Sequence, residues 1–343
     1  MQIIRLTTPG GECEIQVGEN LSAGLHSLVP EPILLVDENV LEMHRGVFSD
    51  FPHISVPSGE KYKTLQTVEK LYRELVVMEA DRSSFIVGIG GGLATDVAGF
   101  VASTYLREIR FGFVSTTLLG QVDASIGGKN GVNLDGYKNM VGTIRQPAFV
   151  WCDLGLLCTL SGREYVAGIA EVIKYGAIGD SKFLQYLRDH MSLLLEMDIA
   201  ILGEVVSRSV AMKVGIVGRD EKESGPRRLL NFGHTFGHAI ERSGRLLHGE
   251  AVSVGMILSA RLSEKLGMLR SEEVGLLKEI IALAGLPVEM ELDAEEIFGN
   301  IRKDKKKSGE LIHLVLLEGL GNGVVRTLPL VDFKKLVYDL CSH

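Results

Sequence analysis

Apolar and polar positions follow two patterns along the chain, and the first covers the N-terminal half. Short apolar runs, such as "PILLVDENV" and "SSFIVGIGGG", are each followed by a stretch with helical apolar spacing. Strands that alternate with helices are typical of a parallel sheet with crossover connections. At the N terminus, "QIIRLTT" and "CEIQVG" flank the turn residues Pro9, Gly10 and Gly11 and predict a hairpin.

After about residue 155 the pattern becomes helical. "SGREYVAGIAEVIKYGAI", "ILGEVVSRSVAMKVGIV" and "HGEAVSVGMILSARLSEKLG" all carry apolar residues at helical spacing. A chain of 343 residues is also longer than one hydrophobic core usually organises. We therefore predict two domains, an α/β domain over residues 1–155 and a mainly α-helical domain over residues 156–343.

The composition narrows the classes of function. The chain is 45% hydrophobic, as globular proteins are, and its formal net charge is −8. General nucleic-acid binding needs a basic face, so we predict no nucleic-acid partner. The four scattered cysteines form no C-x-x-C pair and indicate a reducing compartment.

The N terminus and the most apolar region bear on localisation. "MQIIRLTTPGGECE" has no charged region followed by an apolar run, so we predict no signal peptide. Residues 84–103 are interrupted by glycines and Asp96, which favours a strand, loop and helix over a membrane span. We expect a cytoplasmic protein without a membrane partner.

A glycine-rich stretch, "GIGGGLATD" (88–96), lies between a predicted strand and a predicted helix. Glycines there allow the backbone to approach a pyrophosphate at a helix N-terminus that favours negative charge. Leu93 breaks the strict G-x-G-x-x-G spacing, and a tight turn is the alternative. Asp37 ends an earlier strand, where an acidic residue either accepts hydrogen bonds from a ribose or opens a surface turn.

Several other loops that follow strands carry lysines and small polar residues. Ligands bind at the carboxyl ends of parallel strands, so these loops together favour a phosphorylated ligand, although each alone suits a solvated surface. The residues concerned are Glu60, Lys61, Lys63, Thr116, Thr117, Asp123, Lys129, Lys138 and Asn139.

The helical half contains residues suited to a metal ion. In "NFGHTFGHAI", His234 and His238 are four apart, so on a helix both rings lie on one face. His248 precedes another predicted helix, and Glu171 lies on a third. A catalytic zinc takes about three nitrogen or oxygen ligands from the protein, which Glu171, His234 and His248 could supply. The alternative is one exposed and one packed histidine.

In this order and context, these stretches resemble the 3-dehydroquinate synthase family over nearly the whole chain. The motifs that carry the resemblance are "PSGEKYKTL", "GGGLATDVAGFVASTYLR", "TTLLGQVDASIGGKNGVN", "KNMVGTIRQP", "REYVAGIAEVIKYG", "ESGPRRLLNFGHTFGHAIE" and "HGEAVSVGM". The resemblance implies a Rossmann-like NAD-binding α/β domain followed by a helical domain that binds metal and substrate.

The resemblance also implies an activity. The family converts 3-deoxy-D-arabino-heptulosonate 7-phosphate, a phosphorylated sugar acid, to 3-dehydroquinate and phosphate in the shikimate pathway. NAD transiently oxidises the C5 alcohol, phosphate is eliminated, the same cofactor reduces C5 again, and an intramolecular aldol reaction closes the ring. The implied cofactors are NAD and Zn²⁺ or Co²⁺.

The family's functional residues transfer to matching positions here. The implied metal ligands are Glu171, His234 and His248. The implied NAD contacts are Asp37, Ser58, Gly59, Glu60, Lys61, Tyr62, Lys63, Gly92, Leu93, Ala94, Thr95, Asp96, Thr116, Thr117, Lys129, Lys138, Leu156, Leu157, Cys158, Thr159 and Glu164. The implied substrate contacts are Asp123, Lys129, Asn139, Lys174, Lys213, Arg227, Asn231, His238 and either Lys305 or Lys306. Arg107 matches a residue that reaches the phosphate site of the neighbouring subunit, which implies a homodimer.

Three other functions fit parts of the pattern. A sibling sugar-phosphate cyclase shares NAD, metal and fold, but the cations Lys213 and Arg227 suit the carboxylate of the dehydroquinate synthase substrate. A metal-dependent alcohol or glycerol dehydrogenase releases NADH, and the many phosphate-binding residue types favour the cyclase. An NAD-binding regulator without catalysis is disfavoured because every catalytic residue type is present.

Overall fold

A computed structural model describes residues 1–242, 244–304 and 310–341. The chain divides into two compact units. The first comprises Met1–Ser161 and Leu202–Lys222, and the second comprises Gly162–Ile201 and the described residues from Glu223 onwards.

This division differs from the predicted boundary at residue 155 in two respects. The 3-10 helix Leu154–Thr159 belongs to the first unit because its Leu156 packs into the core around the sheet. Residues 202–222 also return to the first unit, where Lys213 bonds to Asp123 and Glu221 accepts a hydrogen bond from Thr8.

A seven-stranded sheet in the order β1-β2-β9-β6-β5-β3-β4 forms the centre of the first unit. The predicted N-terminal hairpin is confirmed, since β1 and β2 pair antiparallel from Gln2↔Val17 to Thr8↔Gly11. The other pairings are parallel, as the alternation of strands and helices predicted. The strands are β1 (Gln2–Thr8), β2 (Gly11–Gly18), β3 (Ile33–Asp37), β4 (His53–Val56), β5 (Phe85–Gly90), β6 (Arg110–Ser115) and β9 (Phe149–Asp153).

Helices and a separate hairpin complete the first unit. The hairpin consists of β7 (Lys129–Leu134) and β8 (Tyr137–Ile144). Thr64 caps α4 (Leu65–Val77) by accepting from the backbone N–H of Thr67 at 3.3 Å. The helices are α1 (Leu25–Leu28), α2 (Glu38–Met43), α3 (Arg45–Phe48), α4 (Leu65–Val77) and α5 (Gly92–Thr104), with α8 from Leu202 onwards.

The second unit is mainly helical, as predicted. A hairpin of β10 (Leu311–Leu317) and β11 (Gly323–Pro329), which the pattern did not predict, packs with the helices. Most of α10 is buried, so this helix forms the centre of the unit. The helices are α6 (Gly162–Gly179), α7 (Ser181–Leu195), the start of α8 (Ile199–Val217), α9 (His234–Glu241), α10 (His248–Lys265), α11 (Ser271–Leu283), α12 (Ala294–Asp304) and α13 (Leu330–Cys341). Among the described residues, no helix is long and apolar enough to cross a membrane.

Candidate active site

The three residues proposed as metal ligands converge in the second unit. Glu171 lies in the middle of α6, His234 begins α9 and His248 begins α10. One carboxylate oxygen, Oε1 of Glu171, lies 3.5 Å from Nε2 of His234 and 3.4 Å from Nε2 of His248. Glu171 is fully buried, and the three donor atoms lie within 4.8 Å of one another. This spacing suits a single cation.

Each histidine ring is oriented through its other nitrogen. Nδ1 of His234 lies 3.1 Å from the carbonyl oxygen of Phe232, and Nδ1 of His248 lies 3.4 Å from Oε2 of Glu241. A carbonyl and a carboxylate only accept hydrogen bonds, so Nδ1 carries the proton in both rings and Nε2 faces Glu171. Histidines that bind metals almost always donate their second N–H in this way. The donor set therefore fits a zinc or cobalt ion.

The two histidines differ in pKa. Burial lowers the pKa of His234 to about 3, although the charge of Glu171 opposes this shift. Burial also acts to lower the pKa of His248, but hydrogen bonds to Glu171 and Glu241 outweigh it and raise the pKa to about 9. Without a metal, His234 is a neutral donor, whereas His248 holds a proton between two carboxylates. A bound cation would replace that proton on Nε2.

Close packing of α6 against α10 brings Glu171 towards His248. A Cβ on Gly249 would overlap the carbonyl oxygen of Ala167, so only glycine fits this position. Arg163 on α6 donates from Nε and Nη2 to the two carboxylate oxygens of Glu250 on α10, each at 2.7 Å. Glu250 and Gly249 were missed as positioning residues, although both adjoin His248 in the "HGE" motif.

Two predicted substrate residues lie next to the three proposed metal ligands, Glu171, His234 and His248. Lys174, one turn after Glu171 on α6, is 1% exposed and forms an ion pair with that carboxylate. His238 follows His234 by one turn of α9, and the two ring centroids are 5.3 Å apart in an edge-to-face arrangement. His238, Glu241 and His248 form a second group of donor atoms within 4.8 Å of one another.

Arg227 and Asn231 lie in the 3-10 helix Pro226–Asn231 of the second unit. Arg227 is 3% exposed, and Nδ2 of Asn231 donates to Oε1 of Glu223 at 2.5 Å. Lys305 and Lys306, the alternative phosphate contacts, lie outside the described residues.

In the first unit, the glycine-rich stretch joins β5 to α5. Gly90 has φ +149°, and a Cβ there would lie 2.6 Å from Cβ of Ala94 and 2.9 Å from Cβ of Asp37. The chain therefore needs glycine to turn tightly beside the end of β3. Asp37, the last residue of β3, caps α2 through the backbone N–H of Asn39 at 3.0 Å and accepts from Oγ of Ser58 at 2.6 Å.

Two other predicted residues, Asp96 and Asn139, meet around the buried Lys63, and we call these three residues the lysine cluster. Nζ of Lys63 donates to Oδ2 of Asp96 at 2.5 Å and to Oδ1 of Asn139 at 2.6 Å. Burial raises the pKa of Asp96, and the charge of Lys63 acts against this shift. Asn139 has φ +53°, and its backbone N–H donates to Oδ1 of Asn133 at 2.9 Å. A loop, helix α5 and strand β8 are thus held together.

A second lysine of the first unit is bound in a similar way. Nζ of Lys213 on α8 donates to the carbonyl oxygen of Asp123 at 2.5 Å and pairs with the Asp123 carboxylate.

Further along the chain, buried Glu221 accepts from Oγ1 of Thr8 at 2.7 Å and from Nε2 of Gln146 at 2.8 Å. Sequence reasoning missed Glu221, because nothing in the local pattern links it to the N-terminal hairpin.

The other predicted residues are distributed over both units. Thr116 donates its backbone N–H to the carbonyl of Gly90 at 3.0 Å, and Oγ1 of Thr117 accepts from the N–H of Gly120 at 3.0 Å. Gly59 precedes the 3-10 helix Glu60–Tyr62, and Lys61 lies within that helix. The remaining positions are Gly92, Leu93, Ala94 and Thr95 in the first turn of α5, Arg107 at φ +69°, Lys129 at the start of β7, exposed Lys138 in β8, buried Leu156 and Leu157, exposed Cys158 and Thr159, and Glu164 in α6 of the second unit.

The fold is shared with solved cyclase structures. A 2-epi-5-epi-valiolone synthase from Streptomyces hygroscopicus subsp. jinggangensis 5008, solved with NAD⁺ and Zn²⁺ bound, superposes with a TM-score of 0.88 at 25% identity, over 100% of this chain and 99% of the other. A 2-deoxy-scyllo-inosose synthase complexed with carbaglucose-6-phosphate, NAD⁺ and Co²⁺ gives a TM-score of 0.84 at 25% identity, over 98% and 99% of the two chains. The fold is that of the dehydroquinate synthase-like sugar-phosphate cyclases.

Sequence comparisons narrow the class. Residues 53–167 match the family model described as "3-dehydroquinate synthase N-terminal", and residues 168–307 match "3-dehydroquinate synthase C-terminal". A 3-dehydroquinate synthase from Pseudomonas aeruginosa (strain UCBPP-PA14) is 44% identical over 341 residues, covering 95% of this chain and 92% of the relative. One from Dictyoglomus turgidum is 42% identical over 300 residues, covering 87% and 81%. The chain belongs to the 3-dehydroquinate synthase family.

Proposed function

We infer that this chain converts 3-deoxy-D-arabino-heptulosonate 7-phosphate to 3-dehydroquinate and phosphate, as a carbon–oxygen lyase of the shikimate pathway. Membership of the family over nearly the whole chain is the observation that carries this conclusion. The convergence of Glu171, His234 and His248 supports it, because a metal-dependent cyclase needs such a donor set.

NAD and Zn²⁺ or Co²⁺ are the cofactors that we assign to this chain, since the solved cyclases hold them. When bound, the metal acts as a Lewis acid on the substrate hydroxyls, and NAD accepts and later returns the C5 hydride. Glu171, His234 and His248 would hold the metal through one carboxylate oxygen and two Nε2 atoms. Lys174, paired with Glu171, lies next to this site and is a candidate contact for a substrate oxygen.

The NAD contacts lie mainly in the first unit, for which we propose a cofactor-binding role. Gly92–Asp96 begin α5, and the N-terminus of a helix favours a pyrophosphate. The pair of Asp37 and Ser58 at the end of β3 suits a ribose. Lys63 fixes Asp96 and Asn139 relative to each other, so it would define the shape of the cofactor edge.

Buried cations suit an anionic substrate. Lys213 and Arg227 are 5% and 3% exposed, and Lys213 pairs with Asp123, so a substrate carboxylate or phosphate would share this lysine with Asp123. His238 and Asn231 add hydrogen-bonding groups in the second unit. These residue types fit a phosphorylated sugar acid.

We propose that the chain forms a homodimer in which Arg107 serves the partner's active site. Leu106, Arg107 and Glu108 are consecutive non-glycine residues with positive φ, which sets a sharp turn beside Arg107. If Arg107 serves the partner's site, mixing Arg107→Ala with Lys129→Ala should restore part of the activity, because one site of the mixed dimer keeps both residues. Verified mixed dimers without restored activity would contradict shared sites.

The activity is tested by following phosphate release from 3-deoxy-D-arabino-heptulosonate 7-phosphate together with absorbance at the NADH band. We expect phosphate release that needs NAD, stops on chelation and returns with Zn²⁺, without accumulation of NADH. Steady NADH formation would indicate a dehydrogenase. If metal-loaded protein releases no phosphate from this substrate but does so from another sugar phosphate, the chain is a sibling cyclase.

A further inference from the structure

The carboxylate of Glu241 faces the side of His248 that is turned away from Glu171. Oε2 of Glu241 is 3.4 Å from Nδ1, and Oε1 of Glu171 is 3.4 Å from Nε2. One imidazole thus lies between two carboxylates on opposite ring nitrogens. Only one of these carboxylates belongs to the proposed metal ligands, so the other has a separate role.

The register of α9 explains how Glu241 reaches this position. Glu241 is the last residue of α9 and follows His234 by seven residues, close to two helical turns, so both lie on the same face. Its side chain is 17% exposed. A single helix therefore supplies one proposed ligand, His234, and a carboxylate beside another ligand, His248.

We propose that Glu241 is a positioning residue for the metal, which accepts the Nδ1–H hydrogen bond of His248 and thereby directs Nε2 towards Glu171 and His234. This inference rests on the metal site of the proposed function. It parallels the contact of His234, whose Nδ1 is held by the carbonyl oxygen of Phe232. A carboxylate in this position also makes the imidazole a stronger donor to metal.

The rival assignment is a second metal ion bound by His238, Glu241 and His248. It would need Nδ1 of His248 as a ligand while Nε2 serves the first metal, so the ring would have to lose both protons. A neutral imidazole has one free nitrogen, which favours one metal and one hydrogen bond.

The test measures metal affinity rather than turnover. We would compare wild type, Glu241→Ala, Glu241→Gln and, as a control for the change in charge, Glu272→Gln at an exposed position of α11. Competition with a chromophoric chelator gives the Zn²⁺ dissociation constant and stoichiometry. The visible absorption of the Co²⁺ protein reports ligand geometry, and circular dichroism of the metal-free proteins reports folding.

We expect Glu241→Ala to weaken Zn²⁺ binding by about 10–100-fold at an unchanged stoichiometry of one, with an altered Co²⁺ spectrum. Glu241→Gln keeps an acceptor oxygen, so it should regain the wild-type spectrum and most of the affinity, and Glu272→Gln should match wild type. Zn²⁺ affinity within twofold of wild type in Glu241→Ala would overturn the inference alone. A wild-type stoichiometry of two that falls to one in both variants would replace it with the second metal site. Folded wild type that binds no metal would instead refute the metal site of the proposed function.

Discussion

We call Glu171, His234 and His248 in the second unit the histidine–glutamate cluster. It differs from the lysine cluster of the first unit in which charged groups are buried. In the second unit, a buried carboxylate, Glu171, faces a lysine and two histidines from three helices. In the first unit, a buried lysine, Lys63, bridges Asp96 of α5 and the neutral Asn139 of β8.

The two clusters differ in whether they contain a proton that a metal could replace. Glu171 and Glu241 together hold a proton on His248, and a metal would take its place on Nε2. The lysine cluster contains no histidine, and its Lys63 pairs with Asp96. We therefore propose the first cluster as the cation site and the lysine cluster as part of the NAD site.

Removing the central carboxylate should have the largest effect. Glu171→Gln should abolish Zn²⁺ binding and lower phosphate release on the order of a thousandfold, since the Lewis acid contributes several kcal/mol to the transition state. NAD affinity should stay within about threefold of wild type, because the lysine cluster is unchanged. Metal analysis and NAD titration of the same preparation test both statements, and retained stoichiometric zinc would refute the ligand assignment.

Breaking the lysine cluster should affect the other cofactor. Lys63→Met leaves the Asp96 carboxylate without its partner, so we expect a loss of about 3 kcal/mol in the free energy of unfolding. If the cluster shapes the NAD site, NAD affinity should fall by about 100-fold, roughly 2.7 kcal/mol. Urea unfolding and calorimetric NAD titration measure these effects.

The matched control for Lys63→Met is Lys70→Met, at an exposed position of α4. It should change neither quantity. Adding Asp96→Asn to Lys63→Met should restore part of the stability, because it removes the unpaired charge. Unchanged NAD affinity in Lys63→Met would show that the lysine cluster does not contribute to NAD binding.

The two histidines should give the metal-free protein opposite pH responses. The pKa of His248 is raised from 6.5 to about 9, so this histidine stabilises the fold fully below pH 6.5. As the pH rises towards 9, up to about 3 kcal/mol of the free energy of unfolding is lost. The pKa of His234 is lowered to about 3, so that residue costs stability as the pH falls below 6.5. Melting curves with chelator should therefore show declining stability above pH 6.5. His248→Gln should flatten this decline, and an equal decline in the variant would contradict the assignment.

The helix contact behind the metal cluster predicts a smaller effect. Gly249→Ala places a Cβ against the carbonyl of Ala167, so α10 must move away from α6. We expect the free energy of unfolding to fall by about 1–3 kcal/mol and the Zn²⁺ affinity to fall about tenfold. Gly275→Ala in α11 meets no atom within 4 Å and should instead stabilise the helix by up to about 1 kcal/mol. Equal melting shifts in the two variants would show that the contact does not matter.

The smallest effect concerns cysteine reactivity in the first unit. Burial raises the pKa of Cys13 to about 12 and also raises the pKa of Cys152, whereas Cys158 is exposed beside Thr159. Thiolates are the reactive form, so a thiol reagent at pH 8 should modify Cys158 at least about tenfold faster than the buried pair. NAD should slow the modification of Cys158 several-fold if Leu156–Thr159 contact the cofactor. Mass spectrometry locates the label, and Cys158→Ser removes the fast phase. Equal rates with and without NAD would remove this segment from the cofactor site.

Local patterns and long-range assembly were not equally predictable. The spacing of His234 and His238 indicated a shared helical face, and the strand before Asp37 followed from its apolar run. The meeting of Lys63 with Asp96 and Asn139 joins a loop, helix α5 and strand β8, which periodicity does not relate. The family resemblance assigned Lys63 and Asp96 to NAD and Asn139 to the substrate, so it did not predict this contact either. Glu241 could be placed on the face of His234 by counting residues, but its partner His248 lies beyond a loop whose path the sequence does not define. The return of residues 202–222 to the first unit was hidden because helical spacing continues through α8.

The most direct test of hydride return to the same carbon uses substrate with deuterium at C5. If the hydride leaves to NAD and returns within one turnover, 3-dehydroquinate should retain deuterium at C4, the ring carbon that derives from C5 of the substrate, and the recovered NAD should carry none. Mass spectrometry of the product after complete conversion, with catalytic amounts of NAD, measures the retention. Loss of deuterium from the product to solvent or to an accumulating reduced cofactor would contradict the account.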